Sequence, residues 1–203
     1  GSIFTTIDEV AEEIGARLLV MGTHGVVGMQ HITGAWAVKV ITSSPVPVII
    51  VQKKKLASHG YKTMVFPIDA SRETKQKVIH SVSMAKHFDS EVKLFASYED
   101  DEFLINARNA NIAWAENMFK KNGVKFSLEH SPKSGGLAKN VIKYASQVNA
   151  DLLVILTDDS EVSVSGFVLG ADHEKVINND AQIATMCVNP VANLYNIGNV
   201  LFM

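Results

Sequence analysis

Residues 1–25 read GSIFTTIDEVAEEIGARLLVMGTHG, and residues 135–159 read GGLAKNVIKYASQVNADLLVILTDD. Laid over each other at a spacing of 134 residues, they are identical at Gly1/Gly135, Ala11/Ala145, Ala16/Ala150, Leu18/Leu152, Leu19/Leu153, Val20/Val154 and Thr23/Thr157. After an insertion of two residues the match resumes at a spacing of 136, where GAWAVKVI from Gly34 lies over GADHEKVI from Gly170. Identity is modest, but the apolar register is shared throughout, which is the mark of an internal repeat.

Each copy spells the same elements. Ile7, Val10, Ala11 and Ile14 recur at i, i+3, i+4 and i+7, as do Val141, Tyr144, Ala145 and Val148, so both stretches predict amphipathic helices. Leu18–Met21 and Leu152–Leu156 are short continuous apolar runs, the pattern of strands buried on both faces. A polar loop and a helix follow, around Gly34–Thr42 and Gly170–Asn179. The copies close on strands at Val46–Val51 and Ile183–Val188. Pro45 and Pro47 place the first of these at a sheet edge or at a strand start.

The second copy has more in front of it. Lys62–Ile68 predicts a strand, Arg72–Phe88 a helix with Val78, Val82 and Ala85 inward, and Val92–Tyr98 a strand. Phe103, Ala107, Ala110, Trp114 and Met118 mark a long helix to about Lys121, and Val124–Glu129 a strand. The order β-α-β-α-β-α-β-α-β predicts an α/β fold, a parallel five-stranded sheet with helices on both faces, of flavodoxin-like or Rossmann-like kind. The first copy holds no counterpart of residues 61–134. The expected organisation is therefore a partial α/β unit over residues 1–55, a complete domain over 60–190 and a tail over 191–203.

Composition fits this reading. The 203 residues are 47% hydrophobic and 20% charged, enough for a packed core and unlike a disordered chain. Lys+Arg is 19 against Asp+Glu 21, a net charge of -2, which argues against nucleic-acid binding by bulk charge. The single cysteine, Cys187, excludes a disulfide framework within the chain and fits a reducing, cytoplasmic setting. No apolar run approaches the ~18 residues of a membrane span, and the first residues lack the basic and apolar regions of a signal peptide.

The segment richest in chemical information runs from Val20 to Val40, with glycines at 22, 25, 28 and 34 between a buried strand and a helix. Glycines admit a phosphate close to backbone N–H groups, and the helix start adds a positive dipole end. The carboxyl end of a parallel strand is where α/β sheets hold ligands. From spacing alone, a glycine-rich turn without a ligand explains the segment equally well.

Gly22-Thr23-His24-Gly25, then eight residues, then Gly34-Ala35 and Ser43-Ser44-Pro45-Val46-Pro47-Val48 resemble the universal stress protein family. That family carries G-x-x-G, about nine residues, Gly-Ser or Gly-Thr, and a final strand with S-x-x-PV-x-V-x-V. Val65-Phe66-Pro67-Ile68-Asp69-Ala70-Ser71 resembles the family's first-strand V-P-x-D-x-S with one residue inserted. With the repeat, the resemblance extends over about residues 1–190, as a tandem member whose first domain is truncated. It implies ATP binding, possible with Mg. Phosphates would be held by Gly22, Thr23, Gly25, Gly34 and Ala35, and adenine by Asp69; these lie in different copies, the first with the loop and no first strand, the second with Asp69 and no loop glycines.

Two departures bear on that implication. Ala35 replaces the hydroxyl residue, and the loop is one residue short. In the second copy Gly22 becomes Leu156 and Gly25 becomes Asp159, and residues 157–174 carry Asp158, Asp159, Glu161, Asp172 and Glu174 with no Lys or Arg. A carboxylate ~4 Å from a phosphate charge costs roughly 4 kcal/mol at an effective dielectric of ~20, about a thousandfold in affinity. The second copy is therefore expected not to bind.

Other candidates are weaker. The seven histidines are scattered, and no His/Cys/Asp set has metal-ligand spacing. Asp69 or Ser71 could serve equally well as a cap for the following helix. Trp114, Met118 and Cys187 read as core. No catalytic triad, paired-acid motif or P-loop lysine motif is present, and nothing supplies a base or phosphate clamp for ATP hydrolysis. The expectation is a non-enzymatic, cytoplasmic stress-response protein binding ATP or a related nucleotide through the first copy. The alternative is a nucleotide-independent dimerisation or interaction module. The resemblance also implies that Val46–Val51 pairs antiparallel with Ile183–Val188. It would leave the strand at Leu18–Met21 with a bare edge, to be covered by self-association or a retained N-terminal fragment.

Overall fold

The computed structural model describes residues 3–22, 35–157 and 173–190. The elements in chain order are α1 (Ile3–Glu13), β1 (Leu19–Gly22), α2 (Ala35–Ser43), β2 (Val48–Val51), β3 (Thr63–Ile68), α3 (Thr74–Phe88), β4 (Glu91–Ala96), α4 (Glu102–Lys121), β5 (Lys125–His130), α5 (Leu137–Gln147), β6 (Leu152–Leu156), α6 (His173–Ile177) and β7 (Ala184–Val188). The seven strands form one sheet in the order β1-β2-β7-β6-β3-β4-β5. Strands β7, β6, β3, β4 and β5 are mutually parallel, the five-stranded unit expected from the alternating pattern. Strands β1 and β2 are parallel to each other, and β2 pairs antiparallel with β7.

That antiparallel pair is the seam of the molecule. Its register joins Val48 to Cys187, Ile49 to Met186 and Ile50 to Thr185. Under the 136-residue spacing of the two matched segments, Ile49 is the counterpart of Thr185 and Ile50 of Met186. Each of these pairs is therefore the other reversed, and a local two-fold axis passes between them. The helices obey the same relation, since α1 and α5 have identical bounds at a spacing of 134. They also end alike. Gly15 and its counterpart Asn149 both adopt positive φ, 61° and 50°, and Ala16 and Ala150 each donate a 2.8 Å bond back to Ala11 and Ala145. Glycine enters that conformation without the Cβ penalty, and asparagine is among the few other residues that tolerate it.

Two cores cover the sheet. One gathers Phe66, Val78, Val82, Leu94, Phe119 and Val154 beneath α3 and α4, with Trp114 and Met118 partly buried against it. The other gathers Ile41, Val48, Ile50, Leu153 and Ile183 with Val141, Ala145 and Val176 of α5 and α6. Strand β2 lies inside the sheet, so Pro47 marks a strand start rather than an edge. Its carbonyl accepts the Leu19 N–H at 2.9 Å. Strand β1 departs from the expectation of burial on both faces. It ends the sheet, and Val20 is 62% exposed.

Candidate functional site

In each half the place for a ligand is the crevice beyond the carboxyl ends of the parallel strands. Antiparallel pairing of β2 with β7 points these crevices in opposite directions. Gly22 ends β1 in register with Val51, and α2 begins at Ala35. Thr23, Gly25 and Gly34 lie outside the described residues, as do Asp158 and Asp159. A Cβ added at Gly22 would meet nothing within 4 Å, so the described backbone there is open. Asp69 follows β3, which is four strand steps from β1, roughly 19 Å at the usual spacing. It also faces the opposite end of the sheet. The structure brings Gly22 and Ala35 toward one crevice and places Asp69 at the other.

Asp69 is engaged within its own turn. It is buried, and its Oδ1 accepts the Ser71 N–H at 3.0 Å, the Ser71 hydroxyl at 2.6 Å and the Thr74 hydroxyl at 2.9 Å. Asn111 of α4 donates from Nδ2 to the carbonyls of Asp69 and Ser71, both at 2.8 Å. The expectation that Asp69 or Ser71 caps the helix requires correction. The turn occupies residues 69–73, α3 starts at Thr74, and its N-cap is Glu73, which makes no side-chain capping bond. Local Asx-type bonding competes with helix, and here it delays the start by two residues from the expected Arg72.

Lys77 was not singled out by the sequence reading. It is buried, its ammonium donates to the Pro67 carbonyl, and it lies 4.4 Å from the centre of the Phe66 ring. Burial lowers its pKa to about 8, and the Asp69 charge works against that shift. The signal was present: Thr74, Lys77, Val78, Ser81, Val82 and Ala85 follow helical spacing and are all buried. A lysine inside that stripe had to be buried with its charge compensated. Across the crevice, Thr157 after β6 is buried and donates its N–H to the Val188 carbonyl at 2.9 Å. Leu156, the counterpart of Gly22, belongs to the core beneath α3. Among the described residues, this end of the second half is lined by polar groups bonded to one another and by core.

Residues 1–52 match the model of the Universal stress protein family. Over this segment the chain is similar to that family. No curated protein sequence matches the chain. Among solved structures, a universal stress protein from Archaeoglobus fulgidus DSM 4304 superposes with a TM-score of 0.70 at 18% identity, over 93% of this chain and 66% of that one. A protein of the universal stress protein family from Burkholderia pseudomallei has a TM-score of 0.51 at 13% identity, over 66% of this chain and 99% of that one. A universal stress protein from Archaeoglobus fulgidus in complex with dAMP has a TM-score of 0.50 at 18% identity, over 64% of this chain and 98% of that one. At these identities the structures share the fold. The chain spans just under two thirds of the length of the first of them.

Among the described residues, no three or more His, Cys, Asp or Glu side chains are grouped so as to hold a metal, and no helix is long and apolar enough to cross a membrane.

Proposed function

We propose that this chain is a universal stress protein acting in the cytoplasm as a nucleotide-binding stress-response protein, not an enzyme, with the phosphates of ATP or a relative held by the first-half loop. Gly22, Thr23, Gly25, Gly34 and Ala35 are the residues assigned to the phosphates, with Mg as a possible bridge. The observation that carries the reading is the strand–glycine–helix arrangement at one end of β1. Gly22 closes a parallel strand with open space where a Cβ would stand, and the nine-residue α2 begins thirteen positions on. Backbone N–H groups and a helix start favour an anion there. The dAMP complex of the Archaeoglobus fulgidus protein supports a nucleotide in this fold.

We assign no binding role to the second half. Asp69 is engaged by Ser71 and Thr74, and Leu156 fills the core where Gly22 is open. Calorimetry of the whole chain with ATP and with dAMP tests this reading. Saturable binding is expected, weakened at least about a hundredfold by Gly25→Asp and unchanged by Asp69→Asn. Equal binding by wild type and Gly25→Asp would place the site elsewhere.

The second reading, an interaction module without nucleotide, is favoured by one feature: Ala35 brings no hydroxyl to the phosphates. Absence of nucleotide in denatured, freshly purified protein, together with flat titrations, is its expected result.

A further inference from the structure

Helix α4 runs for 20 residues beside α3, about 30 Å at the usual rise per residue. Its inward side is set by Asn111, Ile112, Ala115 and Phe119, all buried. The opposite side is unlike that of an ordinary surface helix, which turns charge toward water. Phe103, Ala110 and Asn117 recur at a spacing of seven along its middle and are exposed, Phe103 by 77%. Asn106 and Ala113 beside them are exposed too. Between Phe103 and Asn117 the only charged residues are Arg108 and Glu116, and helical spacing places neither on this side. Arg108 donates to the Ser97 carbonyl at 2.6 Å, and Glu116 pairs with Lys120 at 3.7 Å. The charges stand at the two ends instead. Glu99, Asp100, Asp101 and Glu102 lead into the helix, and Lys120 and Lys121 close it. Lys75 of α3 lies 5.8 Å from the centre of the Trp114 ring and borders the uncharged stripe on one side.

We propose that this face of α4 is the docking site for α4 of a second copy of the chain, with the two helices antiparallel about a two-fold axis at Ala110. Direction follows from charge. Antiparallel packing sets the acidic start of each helix against the basic end of the other, Glu102 beside the partner's Lys120, and the axis makes that match twice. Parallel packing would set acid on acid and base on base. The helix dipoles are likewise opposed in the antiparallel pair. Register follows from the stripe. With Ala110 on the axis, Phe103 of each copy falls on the partner's Asn117, and the small Ala110 side chains let the helices approach closely. Phe103 is the anchor, since aromatic side chains carry much of the binding energy of an interface. A two-fold contact closes on itself, so the assembly stops at a dimer. One helix pair is small beside the interface of a permanent dimer, so association depends on concentration. The proposal uses neither the glycine loop nor the edge of β1, and it does not depend on the nucleotide reading.

Sedimentation of the 203-residue chain over a range of concentrations, together with cross-linking, tests this. A monomer–dimer equilibrium is expected. Ala110→Arg brings two like charges together on the axis and is expected to weaken it at least about tenfold, with an unchanged melting temperature. Glu99→Lys, Asp100→Lys and Glu102→Lys together leave positive charge at both ends of α4 while keeping the Asp101 cap. Lys120→Glu with Lys121→Glu leaves negative charge at both ends. Each of these two proteins is expected to be monomeric alone, and their equimolar mixture to form the mixed dimer. Cys187 is buried, so Ala110→Cys gives the chain one accessible thiol. A short bis-maleimide is expected to join two such chains. Asn117→Cys chains, whose thiols stand roughly 20 Å apart in the antiparallel pair, are expected to stay single. A monomer at every concentration up to about 1 mM would overturn the proposal. So would a dimer indifferent to Ala110→Arg, which places the contact elsewhere, or folded charge variants whose mixture stays monomeric. Cross-linking at Asn117 as efficient as at Ala110 would overturn the antiparallel register.

Discussion

Gly22 and Leu156 occupy the same place at the end of matched strands, and they answer different demands. Gly22 is exposed at the end of β1, and a Cβ there would meet no described atom within 4 Å. Leu156 is buried and joins Phe66, Ile68 and Val188 in the core. The second half has closed with apolar packing a position that the first half keeps open. The same division separates the two edges of the sheet. Strand β5 carries Lys125, Glu129 and His130, the charged decoration of an edge that meets water, whereas β1 reads Leu-Val-Met-Gly. A repeated pattern thus fixes which elements form, while what lies beyond them decides whether their faces are core or surface.

The comparison can be broken most sharply by placing one substitution at both copies. Val154→Lys puts a charge in the core under α3 and is expected to cost over ~4 kcal/mol in chemical denaturation, or to abolish folding. Val20→Lys in the 203-residue chain is expected to stay within about 0.5 kcal/mol of wild type. Equal costs would mean that the first half buries Val20 after all.

The next effect concerns the closed crevice. Asp69→Ala removes the acceptor of three donors and the charge that offsets buried Lys77, and a loss of about 3 kcal/mol is expected from urea midpoints. Lys77→Met sharpens the same point with the opposite sign. The folded-state pKa of Lys77 is lowered to about 8 from 10.5, so between those values the unfolded chain binds the extra proton. Its contribution to stability therefore rises with pH from about 8 to 10.5, and below about pH 8 its full penalty applies. The Lys77→Met protein should gain about 1–3 kcal/mol at pH 7 over wild type, an advantage that shrinks toward pH 10.5. An advantage independent of pH would show that Lys77 is not the titrating group.

The smallest effect is expected from copying a first-half residue into the second. Tyr144→Val reproduces Val10 and loses the stack on Phe95, for about 1–2 kcal/mol by thermal unfolding. No measurable change would show that the Phe95 stack contributes nothing to holding α5 on the sheet.

Much of this architecture was legible because periodicity is a local property. Helical spacing from Ile7 to Ile14 and from Val141 to Val148 marks α1 and α5, and the apolar run Leu152–Leu156 is β6 residue for residue. The antiparallel β2–β7 seam followed from family resemblance, since pattern alone does not say which strands meet. The family resemblance implies the bare edge of β1, but the apolar run itself hides the exposure of its face, since it looks the same whether or not a neighbour covers it. The late start of α3 was hidden in a competition between Asp69 turn bonds and the helix. Gly22 ends β1 and Ala35 begins α2, as the strand–loop–helix pattern predicts, and the repeat already places Asp69 in the other copy. What the repeat does not encode is strand direction across the seam, which turns Asp69 to the opposite end of the sheet.

Cys187 gives the seam a built-in chemical clock. Its sulfur is buried opposite Val48, and burial pushes its thiol up from its ordinary range, so the intact molecule offers no thiolate to an alkylating reagent. Each labelled molecule must first have parted β2 from β7 or unfolded. The ratio of labelling rate to global unfolding rate therefore reads how often the two halves separate while the rest of the sheet holds.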